Sequence, residues 1–156
     1  MVWRASAVEA KSKDGANRRA QIKSRVDNGR PIGLIGYIGD QPVAWCSIAP
    51  RETYRPLGGP EADAFTERIW SIACLFIKRD YRGKGLTAQL IAAAIRHAKA
   101  GEATIVEAYP VAADSPSYRF MGFVDTFAAA GFREVGRAGQ RRHVMRLMLA
   151  DPAPPA

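Results

Sequence analysis

One unit of the chain leaves little choice of architecture. An apolar segment (68–77) is followed by a glycine-rich turn, an amphipathic stretch (86–99) and a second apolar segment (103–109). The first segment is apolar on both alternating faces, with Ile72, Cys74 and Phe76 on one and Ala73, Leu75 and Ile77 on the other. That pattern predicts a strand in the middle of a sheet. Leu86, Leu90, Ile91, Ala94, Ile95 and Ala98 make one helical stripe, Gln89, Arg96 and Lys99 face outward, and Gly101 caps the helix. Pro110 stops the second strand. Strand, helix and strand at this spacing predict a parallel βαβ unit whose strands lie side by side.

The flanking sequence predicts a polar helix over 16–27, with Asp14 or Asn17 as its cap, and a hairpin of 31–38 with 41–48 about Gly39-Asp40. Residues 50–63 are rich in Pro, Gly and charge and predict a loop without core residues; loops beyond about 12 residues commonly face a substrate or move. A short helix over 124–130 ends at Gly131, and strands over 132–136 and 143–149 flank the basic turn 137–142. Trp3 is a candidate for an additional first strand. The expected fold is one α/β domain over 1–150, a mixed and mostly antiparallel sheet flanked by helices. Residues 151–156, Asp151-Pro-Ala-Pro-Pro-Ala156, are expected to be a disordered tail.

Composition narrows the class. A chain of 156 residues, 47% hydrophobic and 24% charged, suits one globular core. No run approaches the roughly 20 apolar residues of a membrane span, and residues 1–9 lack the apolar centre of a secretory signal. Cys46 and Cys74 lie in apolar runs, where cysteines serve mainly as small core residues, with a reactive thiol as the minority reading. They suggest a reducing cytoplasm, and with His97 and His143 they show no metal-ligand spacing. The net charge of +8 favours an anionic partner, with a merely solvated arginine surface as the alternative.

The segment Arg79-Asp-Tyr-Arg82-Gly83-Lys84-Gly85-Leu86-Thr87 carries the chemistry. Glycines there allow a tight turn and close backbone approach, and the first amides of the following helix lack internal partners. With the helix dipole they make an anion site, to which Lys78, Arg79, Arg82 and Lys84 add charge. No Walker loop is present. Gly83, Gly85 and Ala88 match a dinucleotide fingerprint in letters alone, since five residues separate them from their strand and a hairpin comes first.

After an apolar strand and before an amphipathic helix, Arg82-Gly-Lys-Gly85-Leu86-Thr87 resembles the cofactor motif of the GNAT N-acetyltransferases. Phe127-Ala-Ala-Ala-Gly131-Phe132 resembles that family's later aromatic-x-x-x-Gly-Phe junction, and Tyr118-x-x-x-Gly122-Phe123 matches it in a second register. The Phe127 register is preferred because a helix must precede the Gly-Phe and strands must follow. Thr87 departs from the usual Gly or Ala, and Phe127 from the usual tyrosine acid. The resemblance implies acetyl-CoA as cosubstrate, held through Arg82, Gly83, Lys84, Gly85, Leu86 and Thr87, with Phe127 nearby. Its pantetheine arm would run along Leu75, Phe76 and Ile77, with the Leu75 N–H as oxyanion donor.

The same resemblance implies transfer of acetyl to a primary amine by direct attack in a ternary complex, and pairing of two copies through their sheets. The apolar part of strand 68–77 holds no carboxylate, so Glu107 is the expected general base. Its apolar neighbours should raise its pKa, and a structural Glu paired with an arginine is the competing reading. Tyr118 is the candidate acid, with Ser117 beside it. Two other readings are a basic nucleic-acid-binding module using 133–146, which lacks interleaved aromatics, and a protein binding another acyl-CoA.

Overall fold

Parallel pairing of Ile69–Ile72 with Ile105–Ala108 places the two strands of the βαβ unit side by side. The protein, described here by a computed structural model over residues 3–11, 14–63 and 66–149, builds six strands and three α-helices in the order α1 (Gly15–Asp27), β1 (Leu34–Ile38), β2 (Gln41–Pro50), β3 (Ile69–Ile77), α2 (Leu86–Ala100), β4 (Ile105–Ala108), α3 (Val124–Ala129), β5 (Arg133–Ala138) and β6 (Arg142–Met148). The sheet order is β1-β2-β3-β4-β6-β5. Every neighbouring pair except β3 with β4 is antiparallel. The expected mixed, mostly antiparallel α/β sheet is therefore present. The expected tail at 151–156 lies outside the described residues.

Each face of the sheet carries its own core. On one, Leu90, Ile91, Ala94 and Ala98 of α2 pack with Cys46, Ile48, Ile72, Val106, Phe127 and Phe132. This is the stripe read from the periodicity, and full burial of each leucine or isoleucine contributes about 1.5–3 kcal/mol. On the other, Ala49, Ala73, Tyr109, Met121 and Val144 pack with Tyr54 and Leu57, with Trp3 against them. Here the reading of 50–63 as a loop without core residues is corrected. Leu57 is 1% and Tyr54 8% exposed, so this segment contributes to the second core. Trp3 lies in a turn rather than a strand.

Helix α1 has no buried residue, and Asp14 caps it by accepting from the amides of Ala16 and Asn17. Arg25 ties it to the body, with Nη2 donating to the Arg4 carbonyl at 3.1 Å and to Glu9 at 2.9 Å. Burial pushes the Cys46 thiol up to about 12, which fits a core cysteine. Among the described residues, no helix is long and apolar enough to cross a membrane.

Candidate active site

Strand β3 outlasts its parallel neighbour. Pairing with β4 stops at Ile72–Ala108, and β3 continues to Ile77. These five further residues span about 16 Å. A shift in the β2–β3 register between Ser47 and Ile48 opens this stretch. Beyond it, the Lys78 amide donates to the Val43 carbonyl at 2.9 Å, and the register pairs Ile77 with Ala44. Antiparallel alternation then aims the Cys74 and Phe76 backbone at β2, and that of Leu75 and Ile77 away from it, into the gap that β4 leaves. The Ile77 carbonyl is taken by Arg82 Nε at 2.9 Å, which anchors the glycine turn to the end of β3. Phe76 is 51% exposed.

The turn itself adopts left-handed backbone at both glycines, with φ of +74° at Gly83 and at Gly85. A Cβ built on either meets nothing within 4 Å. Glycine is therefore required there by conformation, and the space before the turn is open. Gly85 is the N-cap of α2 and supplies no side-chain cap. Among the described residues, no amide from Gly83 to Ala88 donates a hydrogen bond. These N–H groups lie at the positive end of a 15-residue helix, with Lys84 Nζ 5.5 Å from the centre of the Tyr81 ring. This arrangement fits a diphosphate, and the adjoining edge of β3 fits an extended, amide-bearing arm.

Glu107 is placed otherwise than expected. Its side chain is 0% exposed. Arg146 Nε lies 2.7 Å from Oε2, Arg51 Nη1 lies 3.4 Å from Oε1, and the Tyr109 hydroxyl donates to Oε1. Both arginines also donate to the Pro60 carbonyl, at 3.0 Å and 3.1 Å. Glu107 and its two arginines therefore tie the 50–63 segment to the sheet. The geometry is that of the competing reading, a structural Glu paired with arginines, and weighs against the general-base expectation. Burial, and then the adjacent Glu107 charge, push the Tyr109 phenol well above its ordinary value.

The two aromatic candidates also separate. Helix α3 directly precedes Gly131-Phe132, and β5 follows, as the Phe127 register requires. Yet Phe127 is 0% exposed and packs edge-on to Phe132, with ring centres 5.2 Å apart. Its expected contact with the cofactor is corrected accordingly, because the ring belongs to the core. Tyr118 is 38% exposed and holds φ at +60°, a strained value for a residue with a large side chain. Its hydroxyl has no hydrogen-bond partner among the described residues, and Ser117 beside it accepts from Arg141 at 2.9 Å. The loop from Tyr118 reaches β3 through Gly122, where a Cβ would stand 3.1 Å from Leu75 Cδ1.

Sequence reading missed the arginines. Arg4 is buried and donates to Ser47 Oγ, to the carbonyls of Pro31 and Ile32, and to Tyr54. Arg142 stands over the rings of Trp3, Tyr118 and Tyr109. Their partners are distant in sequence and leave no local signal. A cavity of about 860 Å³, lined by Arg51, Leu57, Glu67, Arg68 and Trp70, opens at the other end of β3 from the glycine turn.

The acetyltransferase (GNAT) family model matches residues 3–123. No curated protein matches the sequence. The ribosomal-protein-alanine N-acetyltransferase of Brucella melitensis shares the fold at 21% identity and a TM-score of 0.60, over 87% of this chain and 79% of that one. The Salmonella typhimurium protein yncA, solved with its cofactor acetyl-CoA, aligns at 18% identity and a TM-score of 0.60, over 92% and 78%. The Thermoplasma acidophilum paia N-acetyltransferase, in complex with coenzyme A, aligns at 13% identity and a TM-score of 0.57, over 86% and 70%. By its motif, its sheet and this match, the chain belongs to the acetyltransferase (GNAT) family and is an acetyl-CoA-dependent N-acetyltransferase.

Proposed function

We propose that the chain acetylates a primary amine by direct attack in a ternary complex, within a reducing cytoplasm. The observation that carries this reading is the run of unpartnered amides from Gly83 to Ala88 beside the unpaired edge of β3. Acetyl-CoA supplies the acyl group as a thioester. The amides of Gly83, Lys84, Gly85, Leu86 and Thr87 bind its diphosphate, with the Arg82 and Lys84 charges beside them. Leu75 and Ile77 offer strand-like backbone to the pantetheine arm, and the Leu75 N–H is the donor for the carbonyl oxygen as negative charge develops there.

The amine must be neutral to attack. As the new C–N bond forms and the C–S bond breaks, its proton passes to solvent and the departing sulfur takes one. Tyr118 is the donor for that sulfur, since its hydroxyl is exposed and uncommitted. Thermal unfolding with added ligand tests the reading. Acetyl-CoA at 100 times its Kd should stabilise the fold by about 2.7 kcal/mol. A screen of primary amines should then release thiol. Stabilisation by an oligonucleotide but not by acetyl-CoA would instead favour the nucleic-acid alternative.

A further inference from the structure

Two arginines of β6 are treated in opposite ways. Arg146 meets Glu107 and Glu67. Arg142 is also partly buried but has no carboxylate within ion-pair distance among the described residues, and one described acceptor, the Leu57 carbonyl at 2.8 Å from Nη1. Its guanidinium carbon lies 4.6 Å from the Trp3 ring centre, 5.4 Å from Tyr118 and 6.0 Å from Tyr109. A guanidinium carries five donors, so most of these remain unspent. Within the same cluster the Trp3 indole nitrogen is buried without an acceptor. Burial is the leading cause that lowers the Arg142 pKa, a sign of desolvation that an arriving anion would offset.

The place matters as much as the charge. Arg142 bridges Val111, which in turn bridges Phe123, and Arg141 holds Ser117. The cluster therefore borders the loop that carries Tyr118 and touches Leu75 through Gly122. We propose that Arg142 binds a carboxylate on the amine acceptor, so that the enzyme acetylates carboxylate-bearing primary amines. This rests on the transferase reading above. A single guanidinium fork matches the single charge and planar oxygen pair of a carboxylate better than a doubly charged phosphate.

The test compares kcat/KM for L-amino acids with that for their C-terminal amides, using thiol release from acetyl-CoA. The acids should be preferred about ten- to hundredfold, as expected for a charged hydrogen bond. Arg142→Gln should abolish that preference by raising KM for the acids, and Arg142→Lys should restore part of it. Amides turned over as well as acids by the wild-type enzyme, or neither set turned over, would overturn the proposal, as would a preference that survives Arg142→Gln. Acetyl-CoA binding heat, measured on the same samples, separates the two layers. Normal heat with no preference defeats the carboxylate site alone, and absent heat defeats the transferase reading.

Discussion

The two ends of β3 handle polar groups in contrasting ways. At the start of the strand, beside β4, Glu107 is wholly buried and each oxygen has partners: Arg146 on one, Arg51 and Tyr109 on the other. Past the end of the strand, the amides of Gly83 to Ala88 have no described partner, and Gly83, Lys84, Gly85 and Ala88 are exposed. A buried carboxylate without partners would cost several kcal/mol, so the first arrangement is what folding demands. The first amides of any helix lack internal partners, and here two left-handed glycines leave the space before them open. Satisfied polar groups here hold the scaffold, and the unpartnered amides are where we propose that the diphosphate binds.

The sharpest way to break this contrast is Glu107→Ala. It removes the carboxylate from Arg51 and leaves Arg146 only Glu67, at 3.8 Å, and stability should fall by about 3–5 kcal/mol in denaturant unfolding. The isosteric Glu107→Gln should also lower stability while the pH–rate profile keeps its shape; loss of an acidic limb would return Glu107 to the role of base. Tyr118→Phe comes next. It should lower kcat by about 10²-fold at saturating amine with little change in acetyl-CoA affinity. An unchanged kcat would leave protonation of the departing sulfur to water.

The smallest effect concerns the N-terminal clamp. The Ser6 backbone amide and then the Arg25 side chain hold the Glu9 carboxylate below its ordinary pKa. Its contribution is therefore present above the unfolded-state pKa and lost as pH falls through the lower folded one. Because the Glu9 side chain keeps solvent contact, at 29% exposed, Glu9→Gln should cost under about 1 kcal/mol at neutral pH. A mutant difference that stays constant from neutral to strongly acid pH would contradict the assignment.

What could be read from sequence divides along the same line. Helix α2 and its flanking strands were legible because Leu90, Ile91, Ala94 and Ala98 repeat at helical spacing, and Gly83 and Gly85 announce a turn before them. The burial of Tyr54 and Leu57 was not, since two isolated apolar residues among prolines, glycines and charges have no period. Glu107 looked like a base because its neighbours in sequence are apolar. Its nearest counter-charge, Arg146, lies 39 residues away on a strand that reaches it only through the sheet order. Phe127 stood at the expected register, but which way its ring turns depended on Gly122, where a Cβ would meet the ring at 2.7 Å. The direction of the Leu75 amide likewise follows from register against β2, which composition does not encode.

The central claim is that the amides of Gly83 to Ala88 hold the diphosphate of acetyl-CoA. Titration calorimetry with acetyl-CoA, on the wild-type protein and on a Gly83→Val, Gly85→Val variant, addresses it directly. Each left-handed valine should cost roughly 1–2 kcal/mol of backbone strain in the bound turn. The account predicts one-to-one binding by the wild type and at least tenfold weaker binding by a variant that remains folded by circular dichroism. Equal affinities in the two proteins, or no binding heat from the wild type, would contradict it.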